Sequence, residues 1–251
     1  MGGKNDVRDF LVYTGQALPG VSECFLGHVD AAAIGSRSLV KSLCIFSKRC
    51  RKNIWRHEAE RGRLFVRTYH SIIANAGYEM ANWRVLEVGC GPGAIASAFQ
   101  ESGHIVTAID LWDGRIFNNT GVPFSAANGH SLPFKTASFD AVSLTSVLHH
   151  MPASFADLVI KEGLRIISRP GWLLVQEDIL HPSAFHNLLM RMVDDLVSGE
   201  IGTHQAESHR TKNEWQGYFN RFGLQLVGMQ SLFPSWLGVS IEKAFFVLRA
   251  C

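Results

Sequence analysis

The chain has 251 residues, a formal net charge of +2 and a hydrophobic fraction of 47%. That is enough apolar sequence to bury a sizeable core in one α/β domain with additions, and too little charge for an overall field that would draw the protein to nucleic acid. Five cysteines, at 24, 44, 50, 90 and 251, include no Cys-x-x-Cys pair, so neither a disulfide framework nor a zinc site is indicated and a reducing cytoplasm is the expected compartment.

In chain order, Met1-Gly2-Gly3-Lys4-Asn5-Asp6 lacks an apolar signal core, and Asp6 breaks the myristoylation pattern. No apolar run reaches the ~18 residues of a membrane span. A loop is expected around Leu18-Pro19-Gly20. Residues 36–75 then read as helix, because Leu39, Leu43, Phe46 and Ile54 fall on helical spacings and no proline interrupts. Residues 1–80 are thus expected to form an N-terminal helical cap, and 81–251 the main domain. From 84 onward strands and helices alternate, the sign of a parallel sheet with helices on both faces. Strands are predicted at 84–89, 105–109, 122–127, 139–144, 171–177, 224–231 and 242–249, and helices at 93–102, 153–167 and 184–198. The step from Asp110 to Val122 leaves room only for a two-turn crossover helix, about 113–119. Residues 178–222 form a lid-like insertion that includes Leu188, Leu189, Met190 and Met192, whose helical spacing favours core packing. Near its end Thr211 and Glu214 have the spacing of a capping box.

The segment Val85-Leu86-Glu87-Val88-Gly89-Cys90-Gly91-Pro92-Gly93 is an apolar strand running into a glycine-rich turn, and Asp110 closes the next apolar run. Glycines let a backbone approach a ligand where a Cβ would clash. A carboxylate about 20 residues downstream can hold both hydroxyls of a ribose. The spacing alone fits the dinucleotide fingerprint of NAD as well as a nucleoside cofactor without phosphate. Glu87 separates the two. A pyrophosphate over this turn would meet a carboxylate in the same crevice, whereas S-adenosylmethionine has no phosphate and carries an ammonium and a sulfonium.

The run Glu87-x-Gly89-x-Gly91-x-Gly93 resembles the first motif of the class I S-adenosylmethionine-dependent methyltransferases. Asn128-Gly129-His130-Ser131-Leu132-Pro133-Phe134 with Phe139-Asp140-Ala141-Val142, and Thr145-Ser146-Val147-Leu148-His149-His150-Met151, are similar to later motifs of their small-molecule type, the quinone-biosynthesis group in particular. The resemblance covers about residues 80–180, with a weaker tail to 249. It implies a Rossmann-like α/β fold with a mostly parallel seven-stranded sheet closed by a terminal hairpin, behind an N-terminal helical extension. It also implies S-adenosyl-L-methionine as cofactor, held by Glu87, Gly89, Cys90, Gly91, Gly93, Asp110, Leu111, Asn128, Gly129 and Thr145. Asn128 stands where the family often has Asp, and its carbonyl oxygen can still accept from an adenine amino group. Ser168-Arg169-Pro170-Gly171-Trp172 departs from the usual turn by a tryptophan in place of its second glycine.

The implied activity is methyl transfer by in-line displacement to an O, N or C nucleophile of a small organic molecule. His149 and His150, after the fourth strand, are the candidate catalytic bases, since imidazole titrates near neutrality; a capping role for His150 is the alternative. Glu177, Asp178 and His181 offer too little spacing information for a metal site. Residues 48–67 hold eight Lys and Arg against Glu58 and Glu60. This would suit RNA or another anionic partner, but a solvated helix face with i,i+4 pairs explains it more simply. An RNA-modifying enzyme and a cofactor-binding homologue without methylating activity are the competing functions. The oligomeric state is open.

Overall fold

Parallel central strands are buried on both faces and therefore read as continuous apolar runs, and β1 (Arg84–Val88) has this character, with Val85 through Val88 all buried. In the computed structural model, which describes residues 48–117, 121–198, 208–236 and 239–251, β1 is an interior strand of a seven-stranded sheet. The other strands are β2 (Ile105–Asp110), β3 (Phe124–Ala126), β4 (Phe139–Thr145), β5 (Ile167–Asp178), β6 (Gln225–Leu232) and β9 (Lys243–Ala250). Their order is β3-β2-β1-β4-β5-β9-β6. β1 pairs in parallel with β2 and β4, β2 with β3, and β4 with β5, while β9 runs antiparallel to β5. Strand order reverses between β1 and β4, the switch point where open α/β sheets leave a crevice beyond the strand C-termini.

Alternation along the strands divides the core. Leu86 and Val88 of β1, Val142 and Leu144 of β4, Leu173 and Val175 of β5, and Phe246 and Leu248 of β9 join one cluster with helices α3 (Ala153–Ile166) and α5 (Lys212–Asn220). α3 buries Ala156, Val159, Ile160, Gly163 and Ile166, an amphipathic stripe. α5 contributes Trp215 and Phe219, and Phe219 meets Phe246 edge-on at 5.3 Å. The opposite face receives α1 (Lys48–Asn75) and α2 (Ala94–Glu101). There Phe245 packs against Phe65 and Tyr69 of α1, at 4.8 and 5.3 Å between ring centroids. Thr211 caps α5 through the expected reciprocal box with Glu214. At the sharp entry to β5 a Cβ on Gly171 would sit 2.2 Å from the Ser168 carbonyl oxygen, so only glycine fits.

The chain divides into two compact units, with one boundary between residues 57 and 58, inside α1. Residues 58–80 belong with the sheet because the aromatic side of α1 is buried on Phe245. The second unit holds described residues 48–57, 181–198, 232–236 and 239–242, with helix α4 (Ala184–Ser198) and the short antiparallel pair β7 (Ser235–Trp236) and β8 (Val239–Ser240). On α4, Met190 is buried, but Leu188 and Met192 are exposed. The predicted crossover helix is absent from the described residues 113–117. That loop is instead pinned to the glycine turn, with the Ile116 and Phe117 amides donating to the Pro92 carbonyl at 3.0 and 3.1 Å. Residues 36–47 and 118–119 of the predicted helices, and the Leu18-Pro19-Gly20 loop, lie outside the described residues.

Candidate cofactor site

The glycine turn is built against the end of β2. The Gly89 and Cys90 amides both donate to the Ile109 carbonyl at 3.0 Å, and the Gly93 amide closes the turn on the Cys90 carbonyl at 2.8 Å. Gly89 has φ of 71° and faces Val147 so closely that a Cβ would come within 2.7 Å of a valine methyl. Gly91 has φ of 46°, yet a Cβ there would meet nothing within 4 Å. Its backbone fixes the turn, and the open space beside it is room for a ligand to approach the main chain.

Asp110 is the keystone of this arrangement. One carboxylate oxygen accepts from the Gly91 amide at 2.8 Å and the other from the Leu111 amide at 2.7 Å. Each oxygen keeps lone-pair capacity for a further donor such as a ribose hydroxyl. Leu111 is 61% exposed, as is its neighbour Trp112, leaving apolar surface beside the carboxylate for a base to stack on. Arg115 ties the rest of the loop down. It pairs with Asp113 at 2.8 Å, donates to the Val122 carbonyl at 2.7 Å, and lies over the Phe124 ring.

A row of polar side chains crosses the α1 face of the sheet at the same level. Glu87 stands opposite Ser143 in the β1–β4 register, and Thr145 opposite Gln176 in the β4–β5 register. Ser143 and Thr145 bring their hydroxyls within 3.4 Å of each other. Gln176 accepts from the Ser146 hydroxyl at 2.8 Å and donates to Asp178 at 3.3 Å, and Asp178 is paired with Lys243. Ser146 adopts the left-handed conformation with φ of 53°, a strained geometry for a side-chain-bearing residue and one found at functional turns. Glu87 is 1% exposed, and burial pushes its carboxyl up to about 8 against the opposing pull of the Ser143 and Thr145 hydroxyls. Tyr69 of α1 covers this region. Its phenol lies beside Thr145 without completing a hydrogen bond, and burial together with the nearby Glu87 raises its pKa.

His149 and His150 form a short 3-10 turn with Leu148. His149 is fully buried, with Nδ1 2.5 Å from a Glu177 oxygen whose partner oxygen accepts the Leu148 amide at 2.8 Å. Its ring lies 4.1 Å from His150 and 4.7 Å from His209, and its carbonyl accepts from the Ser208 hydroxyl at 2.5 Å. Glu177 and His149 thus act as a buried clamp on the turn that follows β4. His150 is partly exposed.

The predicted residues Glu87, Gly89, Cys90, Gly91, Gly93, Asp110, Leu111 and Thr145 therefore gather around one crevice. Cys90 is buried, and its thiol is pushed up to about 12 by desolvation and by the acids around it, which makes it inert. Asn128 and Gly129 follow β3, where the Asn128 side chain accepts from the His130 amide at 3.4 Å and Gly129 faces Val88. Sequence reasoning missed Ser143, Ser146, Gln176, Tyr69 and Trp112. Ser143 and Gln176 had a legible signal: polar residues inside apolar stretches of their strands. On the basic stretch, Arg61 pairs with Glu58 at 2.5 Å and Arg63 with Glu101 at 2.8 Å.

The donor set fits a nucleoside carrying positive charge. Asp110 offers two anchored oxygens, Gly91 offers room at the main chain, and Glu87 holds a buried oxygen, Oε2, with no hydrogen-bond partner among the described residues. Among the described residues no helix is long and apolar enough to cross a membrane.

Residues 86–175 match a family model described as a methyltransferase domain. A fatty-acid O-methyltransferase of Mycolicibacterium smegmatis is 34% identical over 129 residues, 47% of this chain and 44% of that protein. A ubiquinone biosynthesis O-methyltransferase of Xanthomonas oryzae is 30% identical over 120 residues, 44% of this chain and 49% of that protein. The chain spans about half the length of the curated relatives it matches. Among solved structures, a Burkholderia thailandensis 1,6-didemethyltoxoflavin-N1-methyltransferase holding 1,6-didemethyltoxoflavin and S-adenosylhomocysteine has a similar fold. Its TM-score is 0.58 at 18% identity, over 88% of this chain and 92% of that one. In its glycine turn, switch-point crevice and matched residues 86–175, the chain is similar to the class I S-adenosylmethionine-dependent methyltransferases.

Proposed function

We propose that the protein transfers a methyl group from S-adenosylmethionine to a nucleophile on a small organic molecule. The observation that carries this reading is the double anchoring of Asp110 by the Gly91 and Leu111 amides beside an open glycine turn. Asp110 would hold the ribose hydroxyls, Leu111 and Asn128 the adenine, and the turn from Gly89 to Gly93, with Glu87 and Thr145, the methionine end. S-adenosylmethionine supplies an electrophilic methyl carbon for in-line displacement. The chain contributes position, which is worth several kcal/mol in such reactions, and a place for the acceptor's proton.

Of the two candidate bases, His149 is fully buried and held by Glu177, so its role is to position the turn from Ser146 to Leu148. The partly exposed His150 is assigned the proton-accepting role. An oxygen acceptor is favoured by the two O-methyltransferases among the relatives. The test is formation of S-adenosylhomocysteine across a panel of small carboxylic acids, phenols and amines. Turnover with an acid or a phenol, lowered about 100-fold by His150→Ala, is the expected result. Cofactor binding without product across the whole panel would instead support a non-methylating role.

A further inference from the structure

Glu87 is the acid that the folded chain leaves incompletely satisfied. Its carboxyl lies on the α1 side of β1, and its Oε2 is buried with no partner among the described residues. The groups around it are the Tyr69 phenol from α1, the Cys90 thiol from the glycine turn, and the Ser143 and Thr145 hydroxyls from β4. Its register partner on β2 is Ala108. None of these is a cation. The Tyr69 oxygen beside it is likewise buried without a hydrogen-bond partner. Two buried oxygens left without partners are costly, and the glycine turn, whose Cys90 is near Glu87, has open space at Gly91.

We infer that Glu87 is a proton-linked selector of cofactor charge: it is a carboxylic acid in the ligand-free protein, ionises when cationic S-adenosylmethionine binds, and so favours the sulfonium over the neutral thioether product. The inference rests on the reading of this crevice as the S-adenosylmethionine site. The bond that breaks is the Glu87 O–H, and its proton passes to the buffer while the ligand stays covalently unchanged. Burial supports the first half, since with its carboxyl pushed up to about 8 the acid keeps its proton near neutrality. S-adenosylhomocysteine supports the comparison, because it shares the adenosine and the ammonium and lacks the methyl group that makes the sulfur a sulfonium.

The experiment is isothermal titration calorimetry of the full chain at pH 7 with S-adenosylmethionine and with S-adenosylhomocysteine, each in buffers of different ionisation enthalpy. Close to one proton, about 0.9, should be released per S-adenosylmethionine bound, and clearly fewer per S-adenosylhomocysteine. Glu87→Gln should release none and lose about tenfold of the preference for the charged ligand. If that variant does not fold, the wild type still decides: affinity for S-adenosylmethionine should tighten about tenfold per unit between pH 6 and 7.5, and that for the product by less. Equal heats in every buffer, or equal proton release for both ligands, overturn the inference and leave the cofactor site standing. Failure of either ligand to bind overturns both.

Discussion

The two faces of the central sheet are made from the same strands and do different work. On the α3 and α5 side, Leu86, Val142, Leu144, Val175, Phe246 and Phe219 form an apolar cluster. On the α1 side the intervening positions are Glu87, Ser143, Thr145, Gln176 and Asp178, all but Thr145 buried. A strand alternates its side chains between faces, so one five- to seven-residue segment can supply packing to one side and polar chemistry to the other. The apolar face gains free energy from burial, whereas the unpartnered Glu87 and Tyr69 oxygens on the other face cost free energy until a ligand completes them. Stability and binding should therefore respond to different substitutions on the same strands.

The largest effect should come from the apolar face. Phe246 is fully buried against Phe219, so Phe246→Ala is expected to cost about 3–5 kcal/mol in denaturant unfolding. A much smaller loss would mean that the cluster is not the core. Next, Asp110→Ala should weaken S-adenosylmethionine binding roughly 10- to 100-fold, as loss of charge-assisted hydrogen bonds does. Unchanged affinity by calorimetry would remove Asp110 from the site.

A smaller effect sharpens the comparison through pH. The Trp83 amide donates to His104 Nδ1 at 3.3 Å, so the proton of neutral His104 is on Nε2 and is donated to His70 Nε2, 3.0 Å away. Burial lowers both pKa values, that of His104 to about 4 with His70 adding to it. The unfolded chain then binds more protons than the folded one, so this stability is complete above about 6.5 and is lost as pH falls toward 4. Glu87 works in the opposite direction. Its raised pKa means that the folded ligand-free chain loses stability as pH rises from about 4.5 to 8. Unfolding free energies measured across pH 4–8 should flatten at the acid end in His104→Asn and at the neutral end in Glu87→Gln. Parallel curves for wild type and both variants would contradict these assignments. The smallest effect is Thr211→Ala, which removes one half of the α5 capping box. It should cost about 1 kcal/mol, lower the thermal midpoint by about 2–4 °C, and leave cofactor affinity unchanged.

Local pattern made most of this visible in advance. Apolar runs located the strands, and the spacing from Gly89 to Asp110 located the crevice. What the pattern could not carry was long-range packing. Glu87 reads as an ordinary carboxylate in sequence, but burial pushes its carboxyl up to about 8. Tyr69, whose phenol covers it, is indistinguishable in sequence from the core aromatics Phe65 and Phe99. Glu177, 28 residues away in sequence, holds the His149 ring, a contact no local pattern announces. The 113–117 loop took no helical form because its hydrogen bonds go to Pro92, a partner outside the segment.

The most direct test of the cofactor site is thermal unfolding with S-adenosylmethionine, S-adenosylhomocysteine and NAD in parallel. At about 100 times the dissociation constant a ligand adds roughly 2.7 kcal/mol, enough to raise the midpoint by several degrees. A rise is expected with the first two and none with NAD. A rise with NAD alone would mean that the glycine turn holds a pyrophosphate and that the acid beneath it does not select for positive charge.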